Sequence, residues 1–350
     1  MAEPGLSVPD VRFGLDTFGD VTVDADGQPL PYPEVLRNIV AEGVLADRLG
    51  LSSFNVGEHH RKEFAISSPV AVQAALAGQT SRIKLGTAVT VLSSDDPVRV
   101  YEQTATIDAL SNGRAEVTLG RGSFTESFPL FGYDLADYEG LFSEKIDLFA
   151  ALKSEQRVRW QGRLRPSLDA EIFPKTENGF FTWVGVGGSP ESVVRTARYR
   201  FGLMLAIIGG DPVRFAPYAD LFRRAIGELH GADAPVPPIG IHSPGFVFDD
   251  DREARTLLFP HFKAQRDRIG AERGWPPARM EDVVNEAEHG SLYVGSPERV
   301  AQKIARAVKA VGASQFNLKY SNGTMPHELL MRSIELYATE VVPRVRELLA

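Results

Sequence analysis

Residues 83–120 read IKLGTAVTVLSSDDPVRVYEQTATIDALSNGRAEVTLG and contain a complete strand–helix–strand pattern. The expected bounds are Ile83–Leu92 for the first strand, Pro97–Leu110 for the helix and Arg114–Gly120 for the second strand. Asp96 is placed to cap the helix, Pro97 suits its first turn, and Asn112-Gly113 suits its end. Strands joined through a helix lie parallel in one sheet, so this stretch predicts a unit of a parallel α/β fold.

The same alternation continues in both directions from this unit. Further strands are expected at Val11–Phe18, Ser53–His59, Thr182–Val186, Leu203–Ile208, Ile239–Phe248 and Ser314–Lys319. Further helices are expected at Pro31–Gly50, Pro69–Thr80, Tyr138–Lys153, Pro190–Tyr199, Pro212–Leu229, Arg299–Val311 and His327–Leu348. Roughly eight strand–helix units favour a closed (β/α)8 TIM barrel over an open doubly wound sheet. No linker divides the chain, so residues 1–350 are expected to form a single barrel domain.

Two long stretches interrupt the alternation. Residues 157–181 contain several prolines and glycines and predict an irregular excursion or a hairpin. Residues 249–292 follow the seventh strand and are expected to lie over the C-terminal face of the barrel. Structureless segments of this length tend to be lids or disordered, and Phe259, Phe262 and Trp275 are candidates for an apolar cover.

Composition excludes several classes of function. The chain contains no cysteine, which rules out disulfides, thiolate metal sites and cysteine nucleophiles. Its net charge of -8 disfavours nucleic acid and anionic membranes as partners. The start, MAEPGLSVPD, does not resemble a signal peptide, and no apolar run approaches the roughly 20 residues of a membrane span. A cytoplasmic protein is therefore expected.

The motif EHH at 58–60 lies at the end of the second predicted strand, where barrel enzymes carry catalytic residues. Because side chains alternate along a strand, His59 shares its face with Asn55 and Gly57 and is expected to point into the barrel mouth. A histidine near its reference pKa of about 6.5 can move protons at neutral pH. The alternative is a pair of hydrogen-bonded structural histidines. A metal site is disfavoured because adjacent strand residues diverge.

Two glycine-rich turns suggest an anion site. GRGS (120–123) ends the fourth predicted strand, and Arg121 offers a planar cationic fork next to the amides of Gly122 and Ser123. GVGGSPE (185–191) joins the fifth strand to its helix, whose N-terminal amides attract phosphate. Proline in its sixth position departs from the dinucleotide fingerprint, so a mononucleotide phosphate is favoured. A solvated turn is the alternative for the first motif.

The third strand ends in GTAVT (86–90), whose small side chains leave room for a flat ring against the backbone. Ordinary barrel packing explains the same residues equally well.

In their order and spacing these motifs resemble the bacterial-luciferase-like family of flavin-dependent monooxygenases. The matching stretches are GEHHRKEF (57–64), KLGTAVTVL (84–92), DPVRVYEQTATIDALSNGR (96–114), GRGSFTESFPLFG (120–132) and LYVGSPERVAQKI (292–304). The resemblance implies a (β/α)8 barrel that uses reduced FMN and O2, forms a C4a-peroxyflavin and oxygenates a small organic substrate. It also implies a separate flavin reductase as a partner and, commonly, a homodimer.

The resemblance assigns roles to individual residues. His59 takes the position of the catalytic base, and the expected cofactor contacts are Thr87, Ala88, Val89, Arg121, Gly122, Ser123, Gly187, Gly188 and Ser189. His60 and Phe124 are candidate substrate contacts. A non-prolyl cis peptide is expected at Thr87-Ala88 or Ala88-Val89.

The sequence also departs from the family pattern. Gly120 replaces a reactive cysteine, and Gly187-Gly188 replaces an acidic residue and a serine, so phosphate binding must depend more on Arg121 and on backbone amides. Light emission is not inferred.

Two alternatives remain at this point. One is an F420-dependent hydride-transfer oxidoreductase, and the other is a non-catalytic flavin-binding accessory protein. Candidates for a dimer contact are Tyr101, Thr104, Ile107 and Leu110, which are equally compatible with burial inside the chain.

Overall fold

Parallel strands form a barrel in the computed structural model, which describes residues 11–350. The strands are β1 Arg12–Thr17, β2 Ser53–Val56, β3 Lys84–Thr87, β4 Thr90–Val91, β5 Glu116–Gly120, β6 Val158–Trp160, β7 Leu168–Ala170, β8 Phe181–Val186, β9 Gly202–Ala206, β10 Ile239–Val247, β11 Tyr293–Gly295 and β12 Gln315–Lys319. The expectation about a signal peptide concerns residues 1–10, which lie outside the described residues.

Helices follow the barrel strands as expected. They are α1 Tyr32–Arg48, α2 Pro69–Ala77, α3 Pro97–Leu110, α4 Ser127–Leu130, α5 Tyr138–Leu152, α6 Pro190–Arg198, α7 Ala216–His230, α8 Asp251–Arg273, α9 Met280–Glu288, α10 Pro297–Val311, α11 His327–Leu336 and α12 Val342–Leu349, the last two joined by a π-helical turn at Tyr337–Val341. The Asp96 side chain accepts a hydrogen bond from the amide of Val98, which confirms the predicted cap of α3. No helix within residues 11–350 combines the length and the apolar character that crossing a bilayer requires.

The barrel order is β1, β2, β3 with β4, β5, β8, β9, β10, β12 and back to β1, with β11 added beside β10. β3 pairs with β2 and β4 pairs with β5, so the two short strands together occupy one place in the barrel. The amide of Leu85 donates to the carbonyl of Arg114 at 2.9 Å, and the amide of Thr118 donates to Thr87 Oγ1 at 2.9 Å. These bonds close the barrel between β3 and β5, and the predicted fold class is confirmed.

The barrel interior is polar, whereas its outer face is apolar. Phe54 points outward to the ring of Tyr320 at 6.0 Å and lies under α1, where a side chain at Gly43 would strike it. Asn55 points inward and donates to Asp16 Oδ1 at 2.6 Å. The alternation expected for β2 is therefore present in the structure.

The two long stretches that interrupt the strand–helix alternation have different structures. β6 and β7 pair antiparallel, so residues 157–181 contain the predicted hairpin. Residues 249–292 are not a structureless lid, because α8 and α9 occupy most of the segment. Charged side chains along α8 bind the loops at the barrel mouth, which explains why this segment is ordered as a helix over the C-terminal face. That residues 1–350 form one domain stays a prediction.

Candidate active site at the barrel mouth

His59 lies in an aromatic cage beyond the end of β2. Its ring centroid is 4.8 Å from Phe18, 4.5 Å from Phe64 and 4.7 Å from Phe124. Phe18 follows β1 and Phe124 follows β5, so three loops at the C-terminal face build the cage. The structure thus brings together His59 and Phe124, which sequence analysis singled out. It adds Phe18 and Phe64, which carry no chemical signal in the sequence.

The cage changes the expected protonation of His59. Burial of the ring lowers its pKa from an ordinary value of 6.5 to about 3, with smaller contributions from nearby charges that include Lys319 and Arg61. A charged imidazolium is unfavourable away from water. His59 is therefore a neutral ring at physiological pH and a weaker base than a solvated histidine, which corrects the expectation of a reference pKa.

The edge of the mouth next to His59 is formed by the break between β3 and β4. The Ala88–Val89 peptide is cis, at one of the two positions that the resemblance implied, and both residues are half-buried. Gly57 is required here, because a Cβ would lie 2.5 Å from the carbonyl oxygen of Ala88. Thr87, by contrast, is buried, and its hydroxyl donates to the carbonyl of Thr118 at 3.1 Å, which places its side chain in the barrel seam.

A cationic corner lies next to this edge of the mouth, where β5 and β8 end side by side. The side chain of Val89 reaches both strands, since a Cβ on Gly120 would lie 2.4 Å from it and a Cβ on Gly185 would lie 3.0 Å from it. Arg121 follows β5 and binds Glu139, while Arg195 on α6 lies 3.7 Å from the same carboxylate. Nη1 of Arg195 is buried without a hydrogen-bond partner within residues 11–350. Arg195 was missed by sequence reasoning, although it lies one and a half turns after the glycine-rich turn that suggested phosphate.

The glycine-rich turn opens α6 at this corner. Ser189 caps the helix by accepting from the amide of Ser192 at 3.3 Å, and Pro190 starts the helix as expected. Gly188 adopts a φ of 110°, a conformation that favours glycine, and a Cβ on Gly187 would meet nothing within 4 Å. The amides at this helix start, together with two arginines, form an arrangement that suits a phosphate.

The loop that carries Arg121 is held by its neighbours. The hydroxyl of Tyr138 donates to the carbonyl of Gly122 at 2.7 Å, and Gly122 has a φ of 80°. Ser123 is exposed. The amides of Gly122 and Ser123 thus lie at the mouth but on the side nearer His59, since both residues also line a small gap with His59 and Phe124.

His60 lies at the border of this arrangement, because it lines the same small gap as His59 and Phe124 and also faces a second cleft. Its ring lies edge-on against Phe131 at 5.2 Å and lines a cleft of about 240 Å³ together with Gln73 and Gln103, which belong to α2 and α3. Glu58 lines the same cleft and accepts from the amide of Val91 at 3.4 Å. Burial, followed by repulsion from Asp95, raises the pKa of Glu58 to about 7.

Helix α8 covers the His59 side of the mouth. Arg61 stacks 4.8 Å above the ring of Phe124 and bonds to Glu126 at 2.5 Å and to Glu272 of α8 at 2.9 Å. Gln265 of α8 donates to Asp20 at 2.7 Å. Ile208, which follows β9, is 69% exposed.

The side chains proposed as an apolar cover divide between two environments. Phe259 and Phe262 of α8 are half-buried against the core, whereas Trp275 is 42% exposed.

Among the dimer candidates, Tyr101 and Ile107 are buried inside the chain and Leu110 is 60% exposed.

A second histidine stands in the mouth and was not anticipated. His242 lies on β10, and its Nδ1 is 2.5 Å from Asp16 Oδ2. Its ring is 6.0 Å from Phe18, the residue that also contacts His59. A lone histidine in an apolar strand gives little signal in sequence, because its partner Asp16 comes from β1. Within residues 11–350 no cluster of three or more metal-binding side chains is present.

These observations together describe a site with an anion-binding corner beside a half-buried peptide edge. The cationic corner, with its unpartnered Arg195 nitrogen, suits a phosphate, and the half-buried Ala88–Val89 edge offers a flat surface for a ring. His59 and Phe124 border the remaining part of the mouth.

Comparisons with known proteins identify the family of the chain. Residues 12–315 match the family described as luciferase-like monooxygenase. The alkanal monooxygenase alpha chain of Photobacterium leiognathi is 22% identical over 347 residues, covering 90% of this chain and 95% of that protein. Protein y4vJ of Sinorhizobium fredii, which is uncharacterised, is 23% identical over 326 residues, covering 89% of this chain and 92% of that protein.

Solved structures share the barrel. Monooxygenase RslO1 from Streptomyces bottropensis superposes with a TM-score of 0.80 at 22% identity, covering 95% of this chain and 99% of that one. The oxygenating constituent of 3,6-diketocamphane monooxygenase from Pseudomonas putida, solved with FMN, gives 0.74 at 17% identity, covering 96% and 99%. The coenzyme F420-dependent tetrahydromethanopterin reductase of Methanopyrus kandleri gives 0.69 at 17% identity, with the same coverage.

At these identities the structural matches show the fold alone, whereas the family match spans most of the chain. The chain therefore belongs to the luciferase-like monooxygenase family.

Proposed function

We propose that this protein is an FMN-dependent monooxygenase that uses reduced FMN and O2 to oxygenate a small organic substrate. The observation that carries the proposal is the cationic corner, in which Arg121 and Arg195 converge on Glu139 beside the start of α6. A phosphate would replace the carboxylate of Glu139 there. The corner lies next to the Ala88–Val89 edge, because the Val89 side chain lies against Gly120 of β5 and Gly185 of β8, so one ligand can reach both.

Each group then has a distinct task. Arg121, Arg195 and the amides of Gly187, Gly188 and Ser189 bind the phosphate. Ala88 and Val89 support the flavin ring. Reduced FMN supplies the electrons with which O2 is activated, and one oxygen atom goes to the substrate.

His59 acts next to this chemistry as a neutral proton acceptor. Its aromatic cage and the α8 cover keep water away from the reacting centre. Phe124, in contact with His59, borders the substrate.

We also propose a separate flavin reductase and a second copy of the chain as partners, as the resemblance implies.

Binding experiments test the cofactor. FMN, riboflavin and F420 are titrated separately against the protein by fluorescence. We expect FMN to bind well and riboflavin, which lacks the phosphate, to bind weakly. R121Q and R195Q should each weaken FMN binding about ten- to a hundredfold, the range for about 1.5–3 kcal/mol in a hydrogen bond to a charged group. The exposed Arg159 on β6 provides the control R159Q.

Turnover experiments test the reaction. Reduced FMN, 18O2 and a panel of a long-chain aldehyde, a small ketone and an alkanesulfonate are mixed with the protein, and product is scored for one 18O atom by mass spectrometry. Preferential binding and reduction of F420 would replace the proposal with hydride transfer. Tight FMN binding without any reaction of the loaded protein with O2 would indicate the accessory function.

A further inference from the structure

His242 and Asp16 form a second proton-transfer group in the mouth. Asp16 Oδ2 lies 2.5 Å from Nδ1 of His242, and Asp16 Oδ1 accepts from Asn55 Nδ2 at 2.6 Å. The carboxylate is thus held from both sides and is 1% exposed. An imidazole whose Nδ1–H is donated to a fixed carboxylate presents Nε2 as its acceptor, which is the arrangement that orients a general base.

Nε2 of His242 is available for a ligand. It has no hydrogen-bond partner within residues 11–350, and 11% of the side chain remains exposed. The residue paired with His242 on β9 is Ala206, which is half-buried and small. His242 and His59 both lie near the Phe18 ring, at 6.0 Å and 4.8 Å. Phe18 therefore contacts a caged neutral histidine and a histidine that is bonded to a carboxylate.

A second buried ion pair lies beside the His242–Asp16 pair. Lys319 is the β12 neighbour of Asp16, and its ammonium bonds to Asp20 at 2.9 Å.

We propose that His242 is a second catalytic base and that it takes the proton of an ionisable hydroxyl, a phenol or an enol, on the substrate. This inference rests on the proposed function. The O–H bond breaks, its electron pair stays on the oxygen, and the proton forms an N–H bond at Nε2, giving an imidazolium paired with Asp16.

The chemistry selects the substrate class. An imidazole works as a base near neutral pH, so it can ionise an acid such as a phenol, with a pKa of about 10, but not an ordinary aliphatic alcohol. The ring of Phe18, 6.0 Å from that of His242, suits a flat apolar body beside that hydroxyl. Ionisation makes the ring or the enol carbon electron-rich, which prepares it for an electrophilic oxygen.

The test uses 4-nitrophenol, because its phenol and phenolate forms absorb at different wavelengths. The probe is added to the full-length protein at a mildly acidic pH, where the free probe is protonated, with and without FMN. We expect bound probe to show the phenolate band, and H242Q and D16N to bind the probe as the neutral phenol. H289Q, at an exposed histidine beyond α9, is the control and should behave as the parent protein.

Two further readouts separate this inference from the proposed function and from misfolding. FMN affinity of H242Q should stay within about twofold of the parent, since His242 does not contact the phosphate corner. Nitrogen NMR should show the Nδ1–H tautomer of His242 in the parent protein and its loss in D16N. A phenolate band that persists in H242Q, or equal binding of 4-nitroanisole, overturns the inference even if oxygenation is found. A phenolate band without any 18O-labelled product supports the base but overturns the monooxygenase.

Discussion

Glu139 stands where an anionic ligand would bind between Arg121 and Arg195. It is itself 58% exposed, so its two ion pairs are solvated and each contributes about 0–1 kcal/mol. An incoming phosphate must displace this carboxylate before it can use both arginines.

We therefore predict that E139Q binds FMN about two- to fivefold more tightly than the parent protein, because up to about 1 kcal/mol of competition is removed. Fluorescence titration measures the affinity. Riboflavin, which has no phosphate, should show no gain. An equal gain for both ligands would mean that Glu139 acts on the shape of the pocket and not on the phosphate.

His59 is predicted to act in the reaction and not in cofactor binding. H59N should lower the rate of 18O-labelled product formation about 10²–10⁴-fold, the range for a positioned proton-transfer group, and leave the affinity for FMN within about twofold. Asparagine retains a polar group of similar size, so a lower rate in H59N would not come from loss of the aromatic cage. Full product formation by H59N would remove His59 from the mechanism.

At the scale of elements, α8 is the part of the barrel that the sequence described least well. Its charged residues are spread through a segment with glycine and proline at 274–277, and their partners lie on loops far away in sequence. Arg61 bonds to Glu272, and Arg268 bonds to Glu63, so the helix is fixed by contacts that only the fold reveals. The helical pattern of the sequence alone could not show that α8 lies over the mouth.

The ion pair between α8 and Arg61 is predicted to control access to the mouth. E272Q should increase hydrogen exchange in residues 265–273 and raise the share of consumed reduced flavin that ends as hydrogen peroxide. Stability should fall by less than about 1 kcal/mol, because Glu272 is 51% exposed.

The matched control for this helix is E281Q on α9, where the carboxylate is 80% exposed and contacts Arg279. Unchanged exchange and unchanged peroxide yield in E272Q would show that α8 stays closed without this pair.

The break between β3 and β4 shows a different limit of sequence reasoning. Residues 83–92 give one continuous strand pattern, whereas the structure interrupts it at the cis Ala88–Val89 peptide. The alternation of apolar residues predicts which face of a strand each side chain lies on. It does not predict whether a peptide bond is cis or trans. The resemblance supplied that feature.

At the scale of the whole molecule, the barrel was predictable because each strand–helix unit carries its own pattern and caps. The candidate site was only partly predictable. His59 and Arg121 lie in recognisable motifs, but Arg195, His242 and Asp16 become significant only when strands distant in sequence are brought together. Burial, which sets the pKa of His59, is likewise a property of the assembled mouth.

Two adjacent residues give the whole molecule a testable pH dependence of stability. His59 has a pKa of about 3 in the folded chain against 6.5 ordinarily, so below pH 6.5 the unfolded chain takes up a proton that the folded chain refuses. Stability therefore falls as pH falls towards 3. Glu58 has a pKa of about 7 against 4.5, so above pH 4.5 the unfolded chain releases a proton that the folded chain keeps. Stability from this group falls as pH rises towards 7.

Between about pH 4.5 and 6.5 these two slopes, each about 1.4 kcal/mol per pH unit, oppose and cancel. Urea unfolding across that window should show that H59Q loses about 1.4 kcal/mol per unit relative to the parent protein as pH rises. E58Q should gain the same amount, and the double variant should return to the parent slope. All other titrating groups are common to the four proteins, so the differences report this pair. If the free energy of unfolding changes with pH in the same way in all four proteins, water reaches both side chains. The aromatic cage would then not be what keeps His59 neutral.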